Sequence, residues 1–151
     1  MRFVIGILAL LCLFLSSMSA ADLPRPKPVE VLGEWVAQDY TTRQPRYVVK
    51  FKENLGQFEG RIVKVLDGKK EIPNPICEKC EGALKNKSLL GVKIIYSLKR
   101  DGMEYKDGYF LDPTSGNVYD SYVWSKSDGT KLQVRAYGGI FFRTFTWVKI
   151  Y

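Results

Sequence analysis

A chain of 151 residues with a formal net charge of +7 and no histidine is bounded before any motif is read. Once a leader is set aside it holds one domain with a real core and is too short for two, and it lacks the commonest general base and a standard zinc ligand. Its 23 Lys and Arg residues stand against 16 Asp and Glu, but Lys50, Lys52, Arg61, Lys64, Lys93 and Lys99 alternate with apolar residues instead of clustering, so no nucleic-acid partner is expected.

The chain opens with Met1-Arg2, an apolar run of 13 residues from Phe3 to Leu15, and Ser16-Ser17-Met18-Ser19-Ala20-Ala21. These are the three parts of a secretory signal peptide. The run is shorter than the ~20 residues a membrane-spanning helix needs, so no stable membrane anchor remains after cleavage. Residues 1–21 are read as the signal, with cleavage before Asp22 or beside Ala20, and the protein as periplasmic or secreted. Loss of Arg2 leaves an excess of basic residues that serves solubility, with an anionic envelope surface as a second reading. Residues 22–30 carry Pro24, Pro26 and Pro28 and form an extended, polyproline-like lead-in.

From residue 31 to 151 the pattern is all-β: short runs rich in Val, Ile, Tyr and Phe, separated by turn signals, with no sustained helical period. Eight strands are predicted, about Gly33 to Asp39, Arg46 to Glu53, Gln57 to Leu66, Val92 to Lys99, Glu104 to Leu111, Asn117 to Ser125, Lys131 to Tyr137 and Arg143 to Ile150. Asn54-Leu55-Gly56, Asp101-Gly102, Asp112-Pro113-Thr114-Ser115-Gly116 and Asp128-Gly129 supply the positive-φ residue or preset proline of tight turns. Consecutive strands are therefore antiparallel neighbours. The last strand, pairing with the first around Gly33-Glu34-Trp35, removes both open edges and closes an eight-stranded up-and-down barrel.

One connection breaks the rhythm, the long loop from Asp67 to Gly91 between the third and fourth predicted strands. A loop of that length is usually functional, and it is read as a lid over an open barrel mouth. It holds Cys77-Glu78-Lys79-Cys80. In an oxidising compartment such spacing favours a small disulfide ring. Free redox thiols would want a βαβ scaffold, and a metal site would want better ligands than Glu78, Glu81 or Asp67. Neither a metal nor a cofactor is expected.

Alternation sets the inward faces: Tyr47, Val49 and Phe51 oppose Lys50 and Lys52; Val92, Ile94, Tyr96 and Leu98 oppose Lys93 and Lys99; Leu132, Val134 and Ala136 oppose Lys131 and Gln133. In the fifth and sixth strands both faces carry aromatics, so the pattern leaves them open, and a bulge at Gly108 would resolve the conflict. The aromatic richness has two readings. Either the rings fill the barrel, or Tyr47, Phe51, Ile62, Ile94, Tyr96, Phe110, Tyr119 and Val134 wall a lumen that binds one small, mostly apolar ligand.

Gly33-x-Trp35, Asp112-Pro-x-x-Gly116-x-x-Tyr119 and Arg135-x-Tyr-Gly138 running on to Arg143-Thr-x-Thr-Trp147 together resemble the bacterial domain-of-unknown-function 2147 family of small exported proteins. Asn74-Pro75, Leu89-Leu90-Gly91 and Asp107-Gly108 fit the same pattern. The resemblance covers Leu32 to Ile150 and implies a calycin-type, lipocalin-like barrel in which a first-strand tryptophan and a last-strand arginine, here Trp35 and Arg143, meet at the closed end. Phe142 and Phe145 depart from the glycine and glutamine that the family usually carries there.

Three functions follow from these readings. The first is a non-catalytic carrier or sequestering protein for a small hydrophobic, lipid-like ligand that could be acidic, with Arg135 as a candidate anchor although its parity places it on the solvent side. The second is a cell-envelope structural or interaction module with a filled core and no small-molecule ligand. An enzyme is disfavoured, because Asp39, Asp107, Asp112 and Asp120 all sit at strand ends or turns whose structure accounts for them.

Overall fold

Alternating burial turns the Val-, Ile- and aromatic-rich runs into antiparallel strands in a computed structural model that describes residues 30–126 and 128–150. Residues 1–29, which hold the expected signal segment and most of the expected lead-in, lie outside the described residues. The strands are β1 Gly33–Gln38, β2 Pro45–Asn54, β3 Gln57–Asp67, β4 Lys70–Glu71, β5 Lys93–Asp101, β6 Glu104–Leu111, β7 Val118–Ser125, β8 Lys131–Gly138 and β9 Phe141–Lys149. Neighbours pair antiparallel in chain order, β2 pairs β3, and β9 pairs β1 through Trp35↔Lys149 and Ala37↔Trp147. The ring closes with eight strands. The two-residue β4, absent from the sequence reading, folds back on the end of β3 as Leu66↔Glu71 and Asp67↔Lys70 and stays outside the ring.

Turn chemistry sets the two ends. The β2–β3, β5–β6 and β7–β8 turns share one end with the start of β1. The β1–β2, β6–β7 and β8–β9 turns and the long β3–β5 connection share the other, the mouth. The first end is sealed. Trp35 is fully buried and donates its indole Nε1–H to the Val31 carbonyl at 2.7 Å, so the chain entering β1 lies under the barrel as a floor. Phe58 and Tyr105 meet edge to face above it, with ring centroids 4.7 Å apart.

The closed end corrects one expectation. Arg143 does not reach Trp35; the cation over the indole is Lys149, with Nζ 5.4 Å from the ring centroid. The reason is register. With Trp35 opposite Lys149, residue 143 lies six residues further along β9, ~20 Å away at ~3.3 Å per residue. It emerges at the mouth, where it stacks over Tyr40 at 4.6 Å.

A second correction concerns Tyr96, which faces outward and leans on Tyr109 at 5.4 Å. β5 slips twice against β3, between Phe58 and Gly60 and between Gly60 and Arg61, so Ile94 and Ile95 are both buried and the alternation changes phase. Ser97 and Asp107 take positive φ values of 61° and 57° across the β5–β6 pair, and β6 slips against β7 between Tyr105 and Gly108. Gly108 is required there, since a Cβ would stand 2.5 Å from the Leu98 side chain and 2.9 Å from the Tyr96 carbonyl. On either side of this bulge Tyr105 and Phe110 face in on β6, and Val123 does so on β7, while Tyr122 and Trp124 stack on the outer wall at 4.9 Å.

The β3–β5 connection also differs from expectation. It leans against the β6–β7 turn and the outer wall and does not roof the mouth. Cys77 Sγ faces the Pro113 carbonyl at 3.9 Å, and a Cβ on Gly116, whose φ is 79°, would collide with the Lys79 carbonyl. Cys77 and Cys80 are bonded as a disulfide with Cα atoms 5.4 Å apart, both buried in the core that also holds Leu89, Val92 and Leu111.

Candidate functional site

The lumen is largely solid. Trp35, Phe51, Phe58, Ile62, Tyr105, Val134 and Trp147 are buried in one continuous core, so Phe51, Ile62 and Val134 of the predicted lining serve as packing. Among the described residues, open space borders the predicted lining at the mouth. There a depression of about 130 Å³ is bordered by Tyr47, Ile94, Phe110, Phe145 and the arginines Arg46 and Arg143. A second of about 210 Å³ adjoins it beside Tyr119 and Phe141, and both share Asp112, Arg143 and Phe145. Of the eight predicted lining residues, Tyr47, Ile94, Phe110 and Tyr119 come together here, whereas Tyr96 borders a separate depression of about 870 Å³ on the outer wall beside Leu84, Leu90 and Val118.

Two turns build the rim. In the β1–β2 turn the Asp39 carboxylate accepts the backbone N–H groups of Thr41 at 3.0 Å and Thr42 at 2.8 Å and the Thr42 hydroxyl at 3.1 Å. The Thr42 N–H is the largest of the influences that hold the Asp39 carboxyl below its ordinary value. In the β6–β7 turn Asp112 accepts the Thr114 N–H at 2.9 Å, its hydroxyl at 2.6 Å and the Ser115 hydroxyl at 3.1 Å. Both rim carboxylates are thus consumed by the turns that carry them.

The guanidinium groups are not. Among the described residues Arg43, Arg46 and Arg143 form no salt bridge. Tyr40 stands between Arg43 at 5.5 Å and Arg143 at 4.6 Å, edge-on to Phe145 at 5.8 Å, which in turn meets Phe110 at 5.3 Å. Burial pushes the Tyr47 phenol above its usual range, opposed by the neighbouring Arg46, so at neutral pH it stays a neutral hydroxyl able to donate. The arrangement is an apolar floor under a cationic, aromatic lip.

Tyr40, Arg46 and Phe145 were missed by sequence reasoning, and Arg143 was given another role. Tyr40 and Arg46 flank a turn whose direction no alternation rule fixes; the one available signal was Phe145, an aromatic where the resembled family often has glutamine. Arg135 is on the outer wall, between Trp124 at 5.1 Å and Phe142 at 4.4 Å, donating from Nε to the Thr144 hydroxyl at 3.0 Å, and so takes no part in the mouth. Among the described residues no cluster of ligand-type side chains could hold a metal ion.

Residues 33–149 match a family described as an uncharacterized protein conserved in bacteria (DUF2147). The fold is similar to the solved structure of protein HP1028 from the human pathogen Helicobacter pylori, which is described as belonging to the lipocalin family: the two are 26% identical, the alignment covers 82% of this chain and 84% of that one, and the TM-score is 0.69. No curated protein matches the chain.

Proposed function

We propose, for a chain that belongs to the DUF2147 family of bacterial proteins and has a lipocalin-like barrel, that it is an exported, non-catalytic binding protein holding a small, partly apolar anion at the barrel mouth. The observation that carries the reading is the set of guanidinium groups at the lip, Arg46 and Arg143 above all, that have no carboxylate partner in a salt bridge and stand over an apolar floor of Ile94, Phe110 and Phe145.

Space limits the ligand. Depressions of about 130 and 210 Å³ are small beside the ~300–1,000 Å³ of pockets that enclose a drug-sized ligand, which favours a short ligand held at the mouth. A short carboxylate with its tail on Phe110 and its head between Arg143 and Arg46 fits. Titration calorimetry of octanoate against octanol tests this: octanoate binds saturably near one per chain, octanol binds at least ~10-fold more weakly, and Arg143→Ala weakens octanoate by ~10- to 150-fold, the range of one charge-assisted contact.

The filled interior favours a second reading, a cell-envelope interaction module with no small-molecule ligand. It stands if octanoate and other short anions fail to bind at millimolar concentration.

A further inference from the structure

The outer wall carries an aromatic cleft that the mouth does not explain. Register places Tyr109 of β6 opposite Asp120 of β7, and Asp120 opposite Tyr137 of β8, so this carboxylate has a phenol ring on each neighbouring strand, with Cβ atoms ~5 Å apart. Each ring is buttressed from outside the triplet. Tyr96 leans on Tyr109 at 5.4 Å and Phe142 on Tyr137 at 6.0 Å, while Tyr109 and Tyr137 keep 42% and 36% of their surface open. Tyr122, stacked on Trp124, forms a third wall of a cleft of about 580 Å³.

The charge of this cleft is opposite to that of the chain. Glu104, Asp107 and Asp120 border it against the single cation Lys106, in a protein of net charge +7. Lys106 shows what the cleft accepts. Its ammonium is held by Asp101 at 2.9 Å and Glu104 at 3.5 Å and lies 5.9 Å from the Tyr122 ring centroid. The same combination of carboxylate and ring face exists a second time, at Asp120 between Tyr109 and Tyr137, and there no side chain supplies the cation: among the described residues Asp107 and Asp120 take part in no salt bridge. Ring faces attract ammonium groups electrostatically, and quaternary ammonium ligands are bound in this way.

We infer that the Tyr109, Asp120 and Tyr137 cleft binds the ammonium head of a small organic cation, with Asp120 as counter-ion and the two tyrosines as ring walls. Charge complementarity selects this class over a neutral or anionic ligand. The site is on the barrel's side wall, and its occupation is independent of the mouth.

The test is a titration of the full chain, followed by amide chemical shifts, with choline and with its neutral isostere 3,3-dimethylbutan-1-ol. Choline shifts residues around 109, 120 and 137 saturably, and the isostere binds at least ~5-fold more weakly, the ratio expected of a cation at two partly exposed rings and a carboxylate. Asp120→Asn and Tyr137→Leu each reduce choline binding by ~3-fold or more while far-ultraviolet circular dichroism stays unchanged, and Arg143→Ala leaves choline binding as it was. Equal binding of choline and the isostere, absence of saturation at tens of millimolar choline, or wild-type affinity in Asp120→Asn each overturns the assignment. Failure of octanoate to bind leaves it untouched.

Discussion

Replacing Trp35 by Phe asks whether the closed end is held as the geometry indicates. The indole N–H satisfies the buried Val31 carbonyl at 2.7 Å, and leaving such a group unpaired costs ~1–3 kcal/mol. The missing half of the bicycle removes further apolar contact from a fully buried site, worth ~1–2 kcal/mol at ~25 cal/mol per Å². The total, ~2–5 kcal/mol, is a large share of the ~5–15 kcal/mol that holds a domain folded. Urea denaturation followed by circular dichroism should show the midpoint fall by ~1–2.5 M at an m-value of ~2 kcal/mol/M. Lys149→Met, which removes the cation over the indole, costs ~0.5–1 kcal/mol and a few tenths of a molar. Arg143→Met, at the other end of the barrel, leaves the closed end alone. A midpoint shift below ~0.3 M for Trp35→Phe, or no measurable loss for Lys149→Met, would refute the account of how this end is sealed.

Gly116→Ala sets a side chain against the Lys79 carbonyl at a φ of 79°; it should cost more than ~1 kcal/mol and speed proteolysis between residues 77 and 88, measured by timed digestion. Opening the Cys77–Cys80 ring by Cys77→Ser or by dithiothreitol should cost ~2 kcal/mol, the chain-entropy value for so short a loop, seen as a lower thermal midpoint with the barrel's circular dichroism retained. Lys93 at 2.6 Å and Arg61 at 2.9 Å hold the Glu59 carboxyl below its usual range, Lys93 being the larger influence. A depressed folded-state value means that this stabilisation is full above the unfolded pKa of ~4.3 and is lost as pH falls through the folded one, so Glu59→Gln should flatten the acid limb of urea midpoints measured from pH 6 to 3. Burial and then the Glu104 carboxylate push the Tyr122 phenol up to about 12, and ultraviolet titration should show a late-ionising group of tyrosines, Tyr47 among them, that loses one member in Tyr122→Phe.

Strand existence, strand order and closure were legible in the sequence because they rest on local chemistry: period-two alternation, glycine and aspartate at turns, and the need of β9 to cover the free edge of β1. The cysteine ring was legible for the same reason, since a spacing of three residues leaves little for tertiary structure to decide. The mouth was legible only in part. Alternation put Tyr47 and Ile94 on the same face as Phe51 and Val134, but it carries no information about depth, so it could not separate the first two from the last two, which lie in the buried core; for Phe110 and Tyr119, on strands with aromatics on both faces, it left the choice open. Tyr96 was lost to the two slips of β5 against β3; a one-residue slip sends a strand's side chains to the opposite face, and nothing in Lys93-Ile94-Ile95-Tyr96-Ser97 announces it. The cation over Trp35 was assigned to Arg143 when it is Lys149, because which residue of β9 meets Trp35 is set by register around the whole closed ring, a sum of every turn and bulge that no single stretch of sequence contains.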